Sequence, residues 1–367
     1  MMKLESSRLK RITLSRGRGE RYSHHAGGIP RASSVHAISK NAAVVTAAVV
    51  FTCIGLLVGC GVDATGSSGR TNQAAMEKAD VAGFSGEYPI KVVCTTGMVA
   101  DMLRNIAEPH VSVTALMGEG VDPHLYKATP ADVSQLSHAD IIFYSGLHLE
   151  GKLGDTLVRM ARRNKPTWPV TDQLEHNNDE RLLQVQDGFY DPHLWFDLEL
   201  WGECGLTAAD ALADFDPANA EDYRTRAREY QADLMEVLTS SREQIAQISE
   251  GNRYLVTAHD AFEYFGRSVG LNVHAIQGIN TEAKASVSRI NELVDFIVDR
   301  KIGAVFIESS LSDRNILSLV EGCAARDHEV KIGGELFSDA MGKPGTPEGT
   351  FVGMVRHNVD TIVSALK

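Results

Sequence analysis

The feature that most constrains the fold of this chain is an alternation of strand and helix patterns, which is present in both halves of the sequence. Short runs rich in β-branched and aromatic residues alternate with segments of helical period. Strands that alternate with helices in this way predict a parallel sheet covered by helices. In the first half the predicted strands cover residues 90–95, 111–117 and 141–144, and the predicted helices cover 98–107, 130–137 and 152–162.

The second half repeats this alternation, so we expect an α/β fold of two βα lobes with mainly parallel sheets. Its predicted strands cover residues 254–257, 272–276, 304–307 and 329–332, and its predicted helices cover 261–269, 287–301, 316–326 and 350–366.

A long helical pattern lies between the two halves. Asp216 precedes Pro217, a favoured helix cap followed by a favoured first helical residue, and no Gly or Pro interrupts the pattern until Gly251. About 30 residues at 1.5 Å each span about 45 Å, the length of a small two-lobed protein. We interpret this segment as one long rigid α-helix that links the lobes, and an ordinary surface helix is the alternative.

The N-terminal segment has the features of a bacterial export signal. Basic residues scattered as far as Lys40 precede an uncharged apolar run over residues 42–58, and the run ends in Leu57-Val58-Gly59-Cys60. A run of about 17 residues is marginal for a membrane span, and small residues directly follow it. The ending resembles the lipobox of bacterial lipoproteins, in which Cys60 is lipidated. An uncleaved anchor helix is the alternative, and both place the globular part outside the cytoplasm.

These patterns divide the chain into five predicted parts. They are a signal peptide with a lipobox at 1–60, a flexible tether at 61–88, an N-terminal α/β lobe at 89–215, the linking helix at 216–250 and a C-terminal α/β lobe at 251–367. The start codon stays open, because no methionine lies between Met2 and Met76.

Charge and cysteine content limit the possible partners. The formal net charge of the whole chain is -12 although its N-terminal segment is basic, so the remainder is more acidic still. An acidic body disfavours nucleic acid and suits a cationic ligand. Three of the 5 cysteines, Cys94, Cys204 and Cys323, lie in this remainder. Their odd number and the lack of a CxxC pair disfavour a disulfide framework and a thiolate metal site, and their pairing stays open.

The sequence Asp-Pro-His-Leu occurs twice, once around His124 and once around His193. In each copy the proline restricts the backbone ahead of the histidine, and the aspartate can accept hydrogen bonds in a turn. A metal site needs ligands whose positions are fixed before the ion arrives. The two copies therefore indicate two imidazole ligands that meet in space. His148 and His357 lack this frame, and we interpret them as supporting or packing residues.

Two further candidate ligands follow predicted strands of the second half. His259 ends a strand and is followed by Asp260, which we interpret as a helix cap, while Asp339 follows a strand and the pair Gly333-Gly334. In open parallel sheets, ligands bind outside the carboxyl ends of the strands. Three imidazoles and one carboxylate would suit zinc or manganese.

Several motifs together resemble the zinc- and manganese-type substrate-binding lipoproteins of ABC importers, the family of ZnuA and TroA. The motifs are VDPHLY, GLHLE, DPHLWFD, VTAHDAFEYF, VFIESSLSDRN, GGELFSDAMG and EGTFVGMVRHNVDTIV, and together they extend over nearly all of residues 90–367. The resemblance implies a metal-type periplasmic-binding-protein fold and a metal ion buried between the lobes. It assigns the ligand roles to His124, His193, His259 and Asp339. It also implies an ABC permease and its ATPase subunit as partners.

Two departures from the family pattern bear on the metal. Zinc members often have a His-rich acidic loop in the first lobe. The corresponding residues 175–188 contain a single histidine, His176, which favours the shorter manganese/zinc type. Some manganese members have Glu where this chain has His259, so the ligand set keeps zinc plausible. The transported ion is therefore Zn²⁺ or Mn²⁺, with Fe²⁺ less favoured, and the sequence does not decide between them. A role in cell adhesion is equally open.

The competing interpretation is a secreted zinc metallohydrolase. Catalytic zinc needs an open coordination position for water. The sequence contains no HExxH or GxSxG motif, and Asp260 and Glu308, the nearest candidates for a general base, fit a helix cap and a structural polar residue better. We therefore predict a non-enzymatic, monomeric lipoprotein, anchored to the membrane by lipid, that captures a divalent metal ion and delivers it to an ABC importer.

Overall fold

The computed structural model describes residues 83–185 and 188–367, which belong to one compact unit, Ser67–Lys367. The predicted signal peptide with Cys60 and most of the predicted tether lie outside the described residues. Within the described part, no helix has the length and apolar character that a membrane crossing requires.

The first lobe is built on a four-stranded parallel sheet with the order β2-β1-β3-β4. The strands are β1 (Ile90–Cys94), β2 (Val111–Ala115), β3 (Ile141–Tyr144) and β4 (Thr167–Pro169). The helices are α1 (Gly97–Ala107), α2 (Pro130–His138), α3 (Gly154–Ala161) and α4 (Asp172–His176). Successive β1 side chains enter different hydrophobic clusters, since Val92 and Cys94 lie in one and Val93 lies in another. This is the two-residue period of a strand that is buried on both faces.

Local sequence explains where several of these helices begin. In α2, Thr129 and Asp132 form a capping box, and Pro130 occupies the first turn. In α10 (Phe351–Leu366), the Thr350 side chain accepts a hydrogen bond from the backbone N–H of Gly353. These short-range signals place both helix starts within one residue of the sequence prediction.

The long helix α6 (Ala220–Ile245) connects the lobes. It packs along α5 (Leu198–Phe215), and a 3₁₀ turn, Pro217–Asn219, separates the two helices. The buried face of α6 includes Tyr223, Tyr230 and Leu234, as its period predicts. Its 26 residues span about 39 Å, shorter than the predicted pattern because the turn occupies the beginning and a second turn follows Ile245. The sequence prediction did not include α5.

The second lobe contains two pairs of parallel strands, β5 with β6 and β7 with β8, and β5 lies beside β7. The strands are β5 (Tyr254–Thr257), β6 (Asn272–Ala275), β7 (Ala304–Glu308) and β8 (Lys331–Leu336), and the other helices are α7 (Glu263–Val269), α8 (Val287–Arg300) and α9 (Arg314–Ala324). The last strand extends through Gly333-Gly334 and beyond the predicted range, with a register shift opposite Val305/Phe306. The shift is a local irregularity in the pairing of β7 with β8, which sequence periodicity does not reveal.

One hydrophobic cluster includes residues of both lobes and of the helices α5 and α6. It contains Ile90 of β1, Trp201 of α5, Tyr223 of α6 and Phe351 of α10. The indole Nε1 of Trp195 also donates to the backbone oxygen of Ser338 at 3.2 Å, which joins the segment before α5 to the second lobe. The lobes therefore share a core.

Candidate metal centre

The structure brings all four predicted ligands into one buried cluster between the lobes. His124 lies in the loop between β2 and α2, and His193 precedes the short turn before α5. His259 follows β5, and Asp339 follows β8. One ligand atom from each residue lies within 4.8 Å of all the others, and all four residues are buried. Two loops at strand ends in the second lobe thus face two Asp-Pro-His turns of the first, as the sequence predicts.

The imidazole Nε2 atoms converge on the Asp339 carboxylate. His193 Nε2 lies 3.4 Å from Oδ1 of Asp339, and His259 Nε2 lies 3.3 Å from Oδ2. His124 Nε2 is 3.2 Å from His193 Nε2 and 3.8 Å from Asp339 Oδ2. Within the described residues, His259 Nε2 and both Asp339 oxygens are buried without a hydrogen-bond partner. Such groups are costly to bury unpaired, and a divalent cation at their centre would satisfy them together.

Two of the imidazole rings are oriented by carboxylates behind them. His193 donates from Nδ1 to Asp191 Oδ1 at 2.7 Å, and His259 donates from Nδ1 to Glu308 Oε2 at 2.5 Å. Each bond fixes the proton on Nδ1 and directs Nε2 towards the centre, the arrangement that usually supports metal-bound histidines. Sequence reasoning gave Asp191 only a turn role and Glu308 only a structural one. The position of Asp191 two residues before a ligand was the available signal, whereas Glu308 had none.

Local turns deliver the first two histidines as expected. The carboxylate of Asp122 accepts from the backbone N–H of His124 at 2.9 Å, and that of Asp191 accepts from the backbone N–H of His193 at 3.0 Å. The predicted cap role of Asp260 is wrong, because α7 begins at Glu263 after Phe262, with no side-chain cap. The intervening residues Ala261 and Phe262 instead continue the loop that carries His259.

The buried charges of the cluster perturb one another strongly. Burial alone would raise the pKa of Asp339, but His259 and His193 outweigh it and hold that pKa well below its usual range. Burial would lower the pKa of His193, but Asp191 and Asp339 raise it to about 9. The pKa of His259 is raised in the same way, because Glu308 and Asp339 outweigh the effect of its burial. For His124 burial dominates, and its pKa falls to about 4. The cluster thus combines an ionised carboxylate with imidazoles of unequal basicity.

The remaining candidates stand apart from this cluster. The His148 ring packs edge-to-face on Phe189 at 4.9 Å, and the His357 ring packs on Phe337 at 4.9 Å, which agrees with packing roles. The described part of the chain contains three cysteines, and all three are buried and form no disulfide: Cys94, Cys204 and Cys323. This answers the question of their pairing.

The fold and the cluster define a two-lobed binding protein whose ligand is enclosed between the lobes. Residues 92–365 match the family model described as "Zinc-uptake complex component A periplasmic". The chain belongs to this family of periplasmic solute-binding proteins of metal importers.

Individual relatives share most of their length with this chain. It is 45% identical over 293 residues to the manganese-binding lipoprotein MntA of Bacillus subtilis, covering 78% of this chain and 93% of that protein. It is 44% identical over 275 residues to the zinc-binding protein TroA of Treponema pallidum, covering 75% of this chain and 88% of that protein. The solved structure of TroA superposes with a TM-score of 0.72 at 43% identity, covering 76% and 99%. The iron ABC transporter substrate-binding lipoprotein MtsA of Streptococcus pyogenes is 32% identical over 282 residues, covering 76% and 89%.

These findings confirm the main sequence predictions. The fold is the predicted α/β architecture of two βα lobes joined by a long helix, and the family is one of extracytoplasmic solute-binding proteins of ABC importers. The prediction that the protein is not an enzyme is confirmed by this membership, and the hydrolase alternative receives no support from it.

Proposed function

We propose that this protein captures one divalent transition-metal ion in the cage of His124, His193, His259 and Asp339 and delivers it to the permease of an ABC importer that an ATPase subunit powers. One observation carries the proposal: four buried ligand atoms, two from each lobe, lie within 4.8 Å of one another. Three imidazole nitrogens and a carboxylate match the donor preferences of zinc and manganese.

The ion that we propose is Zn²⁺ or Mn²⁺, ahead of Fe²⁺. The names of the similar proteins include a manganese-binding, a zinc-binding and an iron-transporting member. Affinity at a given site generally favours zinc over manganese, so metal choice in the cell depends on supply and on cage geometry. Elemental analysis of the protein isolated from its own cells tests this assignment, because overexpression loads whichever ion is abundant.

We also propose that the chain is a monomer tethered to the membrane through lipid on Cys60. The support is the Leu-Val-Gly-Cys sequence and the naming of several relatives as lipoproteins. The proposed division is a signal peptide at 1–60, a tether at 61–88, lobes at 89–215 and 251–367, and a linking helix at 216–250. Cys60→Ala should shift the protein from the membrane fraction to the soluble fraction, and unchanged membrane association would contradict the lipid anchor.

The direct test of capture is metal titration of the full-length chain in mild detergent after chelation. We expect one ion per chain and an increase in melting temperature of several degrees, because an ion that binds only the folded state stabilises it. Asp339→Asn should remove most of that increase, since it weakens the only carboxylate ligand. The control variant is His138→Ala, at the exposed end of α2, which should retain the full increase. A wild-type chain that binds no ion would overturn the proposal.

A further inference from the structure

The three imidazoles of the cage are not supported equally. His193 and His259 each have a carboxylate from their own lobe on Nδ1. In the part of the chain that the structure describes, no hydrogen bond joins the Nδ1 atom of His124 to another residue. The position of His124 depends instead on its turn, where Asp122 Oδ1 accepts from its backbone N–H at 2.9 Å. His124 is therefore the ligand whose placement depends most on what holds Asp122.

The second lobe holds Asp122 through one hydroxyl group. Thr281, a buried residue in the loop between β6 and α8, donates from Oγ1 to Asp122 Oδ2 at 2.6 Å. The matching oxygen of the other Asp-Pro-His turn, Asp191 Oδ2, has no such partner among the described residues. The two copies of the motif thus use their aspartates differently, because Asp191 Oδ1 accepts from the ring of its own histidine whereas Asp122 Oδ2 accepts from a hydroxyl group of the opposite lobe.

The adjacent residue makes a second contact between the same two lobes. Glu282 Oε1 lies 2.8 Å from Lys152 Nζ, a residue of the first lobe just before α3. Both side chains are partly exposed, at 29% for Lys152 and 60% for Glu282, so water weakens this pair. The hydroxyl–carboxylate hydrogen bond is partly buried and is the stronger of the two, because breaking a hydrogen bond to a charged group costs more than breaking an exposed ion pair. We call residues 276–286, which carry both contacts, the crossing loop.

The two contacts of the crossing loop oppose a movement of the turn that carries His124. An enclosed ion leaves only after a ligand withdraws, and the ligands with carboxylates on Nδ1 are held in place from within their own lobes. The turn that carries His124 cannot shift away from the second lobe without breaking the Thr281–Asp122 hydrogen bond.

We propose that Thr281 is a positioning residue that holds His124 in the cage through Asp122, and that the crossing loop thereby sets the rate at which the bound ion leaves. This inference rests on the proposed function. A residue of the second lobe would thus determine the position of a metal ligand in the first lobe. Ion release would begin on the His124 side, while His193, His259 and Asp339 keep their positions.

The test measures release of Zn²⁺ or Mn²⁺ from the full-length chain by stopped-flow mixing with excess chelator. Thr281→Val keeps the shape of the side chain and removes the hydroxyl, and it should accelerate release by about tenfold, the effect of losing a hydrogen bond to a charged group. Thr281→Ser restores the hydroxyl and should return the rate to within about twofold of wild type. A merely structural role would lower the melting temperature of the metal-free chain without this dependence of release on the hydroxyl.

The ion pair offers an independent measurement. Lys152→Glu and Glu282→Lys should each accelerate release by roughly two- to fivefold, and the double exchange should restore the slow rate, since it re-forms the pair with reversed charges. Lys284→Gln, in the same loop, is the matched control and should leave the rate unchanged. A wild-type chain that binds no ion would overturn the proposed function. A wild-type chain that binds, with Thr281→Val releasing at the wild-type rate, would overturn this inference alone.

Discussion

At the scale of single residues, the cage depends on carboxylates that never touch the ion. Asp191 and Glu308 each accept a hydrogen bond from the Nδ1–H group of a cage histidine, and this bond determines which ring nitrogen faces the centre. Glu308 also accepts from the backbone N–H of His259 at 2.8 Å, which fixes the loop as well as the ring. The donor set alone therefore does not define the site, since ring orientation comes from residues behind it.

Removal of either supporting carboxylate should weaken metal binding without removing a ligand. We expect Asp191→Asn and Glu308→Gln each to lower metal affinity by about 10- to 100-fold, the usual effect of losing the residue that orients a ligand histidine. Competition titration against a chelating dye measures the change. Glu263→Gln alters a half-buried carboxylate of α7 that forms no hydrogen bond to a described imidazole, and it should stay near wild type. Equal affinity of all three variants would contradict this account.

Another buried carboxylate, that of Asp216, makes stability depend on pH. Asp216 accepts hydrogen bonds from Tyr88 and Tyr223 at 2.7 Å each and from Asn219 at 2.8 Å. Burial would raise its pKa, but these donors outweigh burial and lower it. A lowered folded-state pKa adds stability above the unfolded pKa of about 3.9, and this stability is lost as pH falls through the folded-state pKa.

Asp216→Asn should therefore destabilise the fold most at neutral pH. We expect a loss of about 1–3 kcal/mol in the free energy of unfolding at pH 7, and a smaller difference from wild type in strong acid, where Asp216 itself becomes neutral. Urea unfolding at several pH values measures both. Asp233→Asn, at an exposed position of α6, is the control. A loss that is the same at every pH would contradict the ionised form as the source of the stability.

At the scale of elements, close packing limits what short helices tolerate. Gly266 of α7 faces β6 so closely that a Cβ atom there would lie 2.5 Å from Val273 Cγ2 and 2.9 Å from the backbone oxygen of Leu271. The helix that follows the His259 loop can therefore approach its sheet only with glycine at this position. The close approach of α7 to β6 therefore depends on this glycine.

Gly266→Ala should destabilise the protein even though alanine favours helix. We expect a net loss of about 1–3 kcal/mol, because overpacking against backbone outweighs a gain in helix propensity of about 1 kcal/mol. Gly154→Ala, in α3, is the matched control, since a Cβ there meets nothing within 4 Å. Chemical denaturation measures both variants. A Gly266→Ala variant as stable as wild type would show that α7 can move away from β6.

At the scale of the whole molecule, the shared core restricts how the lobes can move. One hydrophobic cluster includes residues of both lobes, and α6 packs against α1 of the first lobe and α10 of the second. Wide opening of a cleft would expose part of this apolar surface, at about 25 cal/mol for each Å². Metal entry therefore favours small shifts of ligand loops over hinge closure.

Small-angle scattering of metal-free and metal-loaded protein tests this restriction. We expect the same radius of gyration within experimental error in both states, because the cluster and α6 keep the lobes together. Thr281→Val should behave in the same way, since the crossing loop acts on one ligand turn and not on the lobes as bodies. A clear decrease on metal binding would show that the lobes close as rigid bodies around the ion.

Sequence by itself determined the features that depend on neighbours along the chain. Strand and helix periods located β1 to β3 and most elements of the second lobe, local caps placed the starts of α2 and α10, and two Asp-Pro-His turns marked His124 and His193. Positions after predicted strands marked His259 and Asp339, and the resemblance to a family then assigned ligand roles to all four residues. Only the tertiary structure revealed the three-residue strand β4 and helix α5, whose apolar pattern is nearly continuous because it is buried on several sides.

The tertiary structure also decided which groups support the ligands. Glu308 lies 49 residues from His259 along the chain, and Thr281 lies 159 residues from Asp122, so no local pattern joins them. Their roles arise because the carboxyl ends of β5, β7 and β8 and the loops of the first lobe meet at one place. Glu308 and Thr281 support the ligands because folding places a partner beside each of them. The residue type and its position in the sequence do not specify that partner.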